Sequence, residues 1–146
     1  MPLPVGTEAP NFTAKDTKGN TVSLSDLKGK TVVLYFYPKD DTPGCTKQAC
    51  SFRDAQPQYQ SKDIVVLGVS ADDQASHQAF TEKFNLNFPL LVDTEKSLIS
   101  SYDVDGGGYA KRVTYVIDGS GKIVNVDETV NTTTHAEDVL KSLNLN

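Results

Sequence analysis

The stretch Val32-Val33-Leu34-Tyr35-Phe36-Tyr37-Pro38-Lys39-Asp40-Asp41-Thr42-Pro43-Gly44-Cys45-Thr46-Lys47-Gln48-Ala49-Cys50 decides the fold. Its first part is a hydrophobic run with a β-branched start and an aromatic end, which predicts a buried strand from about Thr31 to Tyr37. Pro38 has no N–H to give a ladder and stops that strand. Lys39 to Thr42 is a polar loop. Pro43 suits the first turn of a helix, where its missing N–H is no loss, and Thr42 before it is the expected N-cap. Cys45 therefore falls in the first turn of a helix, just past a strand's C-terminal end. Unpaired backbone N–H groups and the positive end of the helix dipole converge there.

Only the thiolate of cysteine is a good nucleophile, and helix N-termini and nearby cations favour it. A reactive Cys45 is the reading that its place after Thr42-Pro43-Gly44 supports. The alternative is a small buried core residue, a common fate of free cysteine. Cys50, five residues on, is the only other cysteine. On an ideal helix, residues so spaced lie about 140° apart in rotation, with Cα atoms ~8–9 Å apart. A disulfide needs Cα atoms within roughly 4.4–6.8 Å. Both residues on one intact helix cannot bond, so a Cys45–Cys50 disulfide requires the first turns to unwind. Taken alone, Cys50 reads as a passive core residue facing the sheet.

Working outward, residues 11–15 and 21–24 alternate polar and apolar around Thr17-Lys18-Gly19-Asn20, which predicts a β-hairpin. Ser25 is placed to cap a helical turn through Leu27, ended by Gly29. On the helix carrying Cys45, the spacing turns Ala49, Phe52 and Tyr59 to the core, and Pro57 predicts a kink or an end near Ala55. A second buried strand runs from Ile64 to Val69, parallel to the first. Residues 75–84 read as a helix with Ala79, Phe80 and Phe84 inward. Residues 88–92 read as a short strand and 97–102 as a short helix. Asp105-Gly106-Gly107-Gly108-Tyr109 is a loop. It lacks the preceding strand and following Lys-Ser/Thr of a phosphate cradle. Residues 113–117 and 122–126 flank Asp118-Gly119-Ser120-Gly121 as a hairpin. Thr134 with Glu137 reads as a capping box before Val139, Leu140 and Leu143. This order predicts an α/β fold with a mixed central sheet and helices on both faces.

The 146 residues suit one domain, 1–146, with a single core. No apolar run reaches the length of a membrane span, and the start shows no signal-peptide pattern. A net charge of −5 with no basic cluster disfavours nucleic acid and anionic membranes as partners. Two cysteines are too few for a disulfide-scaffolded secreted domain, which points to a reducing compartment. That setting is cytoplasmic, or plastid-like for a mature organellar form. His77 and His135 are not spaced with the cysteines as a metal site, and no metal, flavin or haem is called for. His77 reads as a surface or half-buried residue. Tyr35, Phe36, Tyr37 and Phe88 read as core or pocket wall.

Pro38, Thr42 and Cys45 form a Pro-x-x-x-Thr-x-x-Cys element that resembles the peroxiredoxins. The second cysteine, Cys50, resembles the subgroup called peroxiredoxin Q or bacterioferritin comigratory protein. The resemblance extends through residues 6–12, 66–73, 88–93 and 112–118. It implies a thioredoxin-like fold in its peroxiredoxin form, with the N-terminal hairpin added. It also implies a thiol peroxidase in which Cys45 is oxidised by a peroxide and Cys50 resolves the product as an intramolecular disulfide. Thioredoxin or a similar dithiol would then reduce that disulfide. Thr42 would orient thiolate and peroxide, Pro38 would shield the site, and Arg112, the family's site arginine, would be the cation beside the sulfur. Without the resemblance Arg112 would read as an ordinary solvated residue, with Lys111, Lys39 and Lys47 competing. Resolution inside one chain favours a monomer. The competing functions are a thiol–disulfide oxidoreductase, which usually has two residues between its cysteines where four stand here, and a non-enzymatic redox sensor.

Overall fold

The computed structural model describes residues 2–143; Met1 and residues 144–146 of the expected domain lie outside the described residues. The strands are β1 (Thr13–Asp16), β2 (Thr21–Ser23), β3 (Thr31–Phe36), β4 (Ile64–Ser70), β5 (Leu90–Val92), β6 (Val113–Ile117) and β7 (Ile123–Asp127). The helices are α1 (Pro43–Ser61), α2 (Gln74–Phe84), α3 (Ser97–Ser101) and α4 (His135–Ser142). One sheet holds the strands in the order β2-β1-β5-β4-β3-β6-β7. β4 runs parallel to both β3 and β5, whereas β6 pairs antiparallel with β3 and the β1–β2 hairpin adds antiparallel to β5. The mixed sheet is therefore as expected.

The unbroken hydrophobic runs of β3 and β4 lie at the centre because they are covered on both faces. Side chains of a strand alternate in direction, and the two core clusters follow that alternation. Val33, Tyr35 and Tyr37 pack with Phe52 and Tyr59 of α1, Phe80 of α2, and Ala136, Val139 and Leu140 of α4. Val32, Leu34 and Phe36 face the other way, onto Leu98 and Ile99 of α3, Tyr102, and the N-terminal Ala9 and Phe12. Gly68 of β4 leaves room for this packing. A Cβ there would lie 2.8 Å from Leu90 and 2.9 Å from the Tyr35 ring.

Several local expectations are corrected. Helix α1 does not end near Ala55; it continues through Pro57 to Ser61. The proline leaves the Arg53 carbonyl without its helical donor, and the Asn87 side-chain amide donates to that oxygen at 3.2 Å. On α2, Ala79 is exposed, and the buried residues are His77 and Phe80. The buried stripe thus begins at a histidine that had been assigned to the surface or half-buried. Thr134 precedes α4 but forms no capping box, because its hydroxyl donates to Asp138 at 2.8 Å and caps no backbone N–H. The turn expected to be capped by Ser25 is a 3-10 turn over Leu24–Leu27, preceded by Ser23.

Candidate active site

Strand β3 ends at Phe36, and the Tyr37 N–H still donates to Val69 of β4 at 3.0 Å. The chain then leaves the sheet at the half-buried Pro38 and turns through Asp41, whose φ of +57° is left-handed. It enters α1 with Thr42 as N-cap residue and Pro43 in the first turn. Thr42 caps by position only. Its hydroxyl donates back to the Lys39 carbonyl at 2.9 Å, and no side-chain bond closes the helix end. The first helical bond runs from Thr46 N–H to the Thr42 carbonyl at 2.8 Å.

Cys45 sits where expected, in the first turn of α1, and is 1% exposed. The Arg112 guanidinium reaches it. Nη2 donates to Cys45 Sγ at 3.3 Å and Nη1 donates to Gln48 Oε1 at 2.7 Å. Arg112 arrives there because it precedes Thr114 and Val116 by two and four residues, and Val116 packs into the α1-side core. Lys111, Lys39 and Lys47 are exposed, and Arg112 is the cation hydrogen-bonded to the sulfur. Gly44 permits the approach: a Cβ at that position would stand 3.1 Å from Arg112 Nη2. A guanidinium donating to sulfur at a helix N-terminus favours charge on that sulfur and on an oxygen bonded to it.

Gln48 was not singled out from sequence. It lies one turn after Cys45, and that i, i+3 spacing was the available signal. It is fully buried, and its Nε2 has no hydrogen-bond partner among the described residues, as is also true of the buried Tyr35 hydroxyl. Burial first, and then the charges of Cys45 and Asp40, push the Tyr35 phenol well above its ordinary pKa, so it stays protonated beneath the site. Cys50 is half-buried, and both cysteines are free thiols. Helix α1 is continuous between them. His77 is fully buried between Asp40 and the Leu91 carbonyl, which overturns its assignment to the surface or half-buried class. His135 opens α4, with Nε2 2.8 Å from Thr114 Oγ1. No group of three or more His, Cys, Asp or Glu among the described residues is arranged to hold a metal ion.

Residues 5–126 match the AhpC/TSA family. The chain belongs to that family. Its relatives are of the Bcp and Q type. Peroxiredoxin Bcp of Bacillus subtilis (strain 168) is 43% identical over 151 residues, covering 98% of this chain and 96% of that protein. The chloroplastic peroxiredoxin Q of Triticum aestivum is 50% identical over 121 residues, covering 81% of this chain, and the match spans 56% of the wheat protein. Among solved structures, a serine variant of PrxQ from Xylella fastidiosa superposes with a TM-score of 0.91 at 32% identity, covering 97% of this chain and 96% of that one. The sheet is thus the thioredoxin-like fold in its peroxiredoxin form. The chain is a thiol-dependent peroxidase of the atypical kind that carries both its cysteines in one polypeptide.

Proposed function

We propose that Cys45 is the sulfur that peroxide oxidises and Cys50 the thiol that resolves the product. The observation that carries this reading is the Arg112 guanidinium on Cys45 Sγ, at the N-terminus of a helix entered through Thr42 and Pro43. The Cys45 thiolate attacks one oxygen of the peroxide. An S–O bond forms, the O–O bond breaks, and the departing alkoxide or hydroxide takes a proton and leaves as alcohol or water. Sulfur is thereby oxidised to the sulfenic acid. Arg112 stabilises the negative charge as it passes from sulfur to oxygen. Thr42 orients the reactants, and Pro38 shields the loop side.

The Cys50 thiolate then attacks the Cys45 sulfur, an S–S bond forms, and water departs. Since α1 is regular across these residues, that step requires its first turns to unwind. A dithiol, thioredoxin or a protein like it, restores both thiols by exchange through a mixed disulfide. Hydrogen peroxide and organic hydroperoxides are the substrate class. We read the chain as one domain that acts as a monomer, because resolution needs no second subunit, and we assign it to a reducing compartment such as the cytoplasm.

Rapid-reaction measurements on Cys45→Ser and Cys50→Ser test this assignment. Cys45→Ser should lose peroxide reduction altogether. Cys50→Ser should consume one equivalent of hydrogen peroxide at the parent's rate and then stop, without turnover on thioredoxin. Consumption of peroxide by Cys45→Ser at the parent's rate would overturn the reading.

A further inference from the structure

Asp40 lies two residues before Thr42, in a polar loop, yet it is 6% exposed. Its carboxyl group is enclosed by hydrogen-bonding side chains. Tyr37 OH donates to Oδ1 at 2.5 Å, Ser76 Oγ donates to Oδ2 at 2.9 Å, and His77 Nδ1 lies 2.7 Å from Oδ2. Burial, followed by the Asp40 charge, holds the Tyr37 phenol well above its ordinary pKa, so it remains a donor. A carbonyl can only accept, so His77 Nε2 donates to Leu91 of β5 at 2.8 Å. The Asp40 N–H in turn donates to Asp72 Oδ2 at 2.8 Å, and that oxygen also accepts from Ser70 Oγ at 2.7 Å. Next to this cluster, Asp41 is in the left-handed region and the Thr42 hydroxyl does not cap α1. The loop entering α1 is therefore held from Asp40, by Tyr37 after β3, Asp72 after β4, and Ser76 and His77 of α2, rather than by its helix cap. A buried ionisable pair is expensive, and hydrophobic residues of similar size would fill the space at lower cost.

We propose that His77, acting through Asp40, is a positioning residue that fixes the Pro38–Thr42 loop and with it Thr42, Cys45 and the N-terminus of α1. The effect on rate rests on Cys45 being the thiol that reacts with peroxide. The effect on loop order does not.

Two substitutions separate the two nitrogens of the ring. In His77→Asn the amide nitrogen takes the place of Nδ1 and keeps a hydrogen bond to Asp40. In His77→Gln it reaches the place of Nε2, keeps the Leu91 bond and loses Asp40. The measurements are the rate constant of the reduced protein with hydrogen peroxide and hydrogen exchange of the Asp40 and Thr46 amides. His77→Gln should react about tenfold or more slowly, since misplacement of a reacting group by about 1 Å can cost up to a hundredfold. Both amides should exchange about tenfold faster, while His77→Asn stays within about threefold of the parent on both counts. Equal behaviour of the two variants, or a loss confined to His77→Asn, overturns the proposal. Should His77→Gln fail to fold, Tyr37→Phe decides. It removes one donor from Asp40 and should slow the reaction several-fold with faster exchange at the same two amides, and an unchanged Tyr37→Phe overturns the proposal. A parent protein that does not consume peroxide sinks the peroxidase reading instead, and exchange at Asp40 and Thr46 then decides the positioning role.

Discussion

The two halves of α1 are held in different ways. Residues 51–61 are tied to the rest of the molecule by four hydrogen bonds among the described residues. Ser51 Oγ accepts from Ala136 N–H at 3.1 Å, and Tyr59 OH donates to the Ala136 carbonyl at 2.7 Å. Arg53 donates to the Phe84 carbonyl at 2.7 Å and accepts at its own carbonyl from Asn87. Phe52 adds an aromatic cluster, stacked on Tyr35 at 4.8 Å and edge-on to Tyr59, Phe88 and His135. Among the described residues, 43–50 have two side-chain bonds to the rest of the fold, and both come from Arg112. Beyond the packing of Cys45 and Ala49 and the loop that enters it, the half that would unwind to join the cysteines is tied by one side chain, and that side chain touches the sulfur proposed to be oxidised. The other half stays anchored. Oxidation is therefore expected to loosen residues 43–50 and to stop near Ser51.

The largest expected effect breaks the anchored half. Phe52→Ala removes a fully buried ring from the centre of that cluster and should cost about 3–5 kcal/mol in urea unfolding. A loss below about 1 kcal/mol would show that this half is not the anchor. Next comes the tether of the other half. Arg112→Ala should slow the reaction with peroxide about a hundredfold, the cost of removing one donor from developing negative charge. It should also speed hydrogen exchange in residues 43–50 and leave 51–61 unchanged. Equal acceleration along all of α1 would erase the distinction between the halves.

A smaller effect concerns the proline inside the anchored half. Asn87→Ala should cost about 0.5–1 kcal/mol, because it strips the Arg53 carbonyl of its donor. In a Pro57→Ala background the restored helical N–H can serve that oxygen, so the same Asn87→Ala change should cost less. A thermodynamic cycle over the two positions measures the difference, and strict additivity would refute the compensation.

This compensation shows where the sequence stops being legible. The strands were readable because β3 and β4 are central, and a strand covered on both faces must be hydrophobic along its whole length. The place of Cys45 was readable because proline and threonine punctuation acts locally. The run of α1 through Pro57 was not, because the donor that rescues it comes from Asn87, beyond a whole strand and helix. Thr42 and Thr134 carry the right residue type for caps, but each hydroxyl has a competing acceptor nearby, and local composition does not rank such acceptors. His77 was misplaced because the groups that let it be buried, Asp40 on a loop and the Leu91 carbonyl on β5, are remote in sequence. Arg112 was legible through the family resemblance alone; the alternation of β6 explains its reach only once the pairing of β6 with β3 is known.

The last prediction is on pH dependence, and it falls on the anchored half. His135 opens α4 immediately before Ala136, whose N–H and carbonyl both bond to α1. Burial, with help from the Arg112 charge, holds the His135 imidazole below its ordinary pKa, against the opposing pull of Asp127 and Asp138. Between that lowered value and the ordinary value of about 6.5, the unfolded chain binds a proton that the folded chain does not. Stability should therefore rise with pH through that window, level off above it, and be lost as the pH falls below about 6.5. One such group contributes a slope of at most about 1.4 kcal/mol per pH unit. His135→Gln keeps an amide nitrogen within reach of Thr114 but cannot titrate, so urea midpoints between about pH 5 and 7.5 should show a shallower slope for the variant than for the parent. If the slopes are equal, His135 is not the group that couples acid to the anchor. If acid loosens residues 43–50 before 51–61, the coupling runs through the site end of α1 instead.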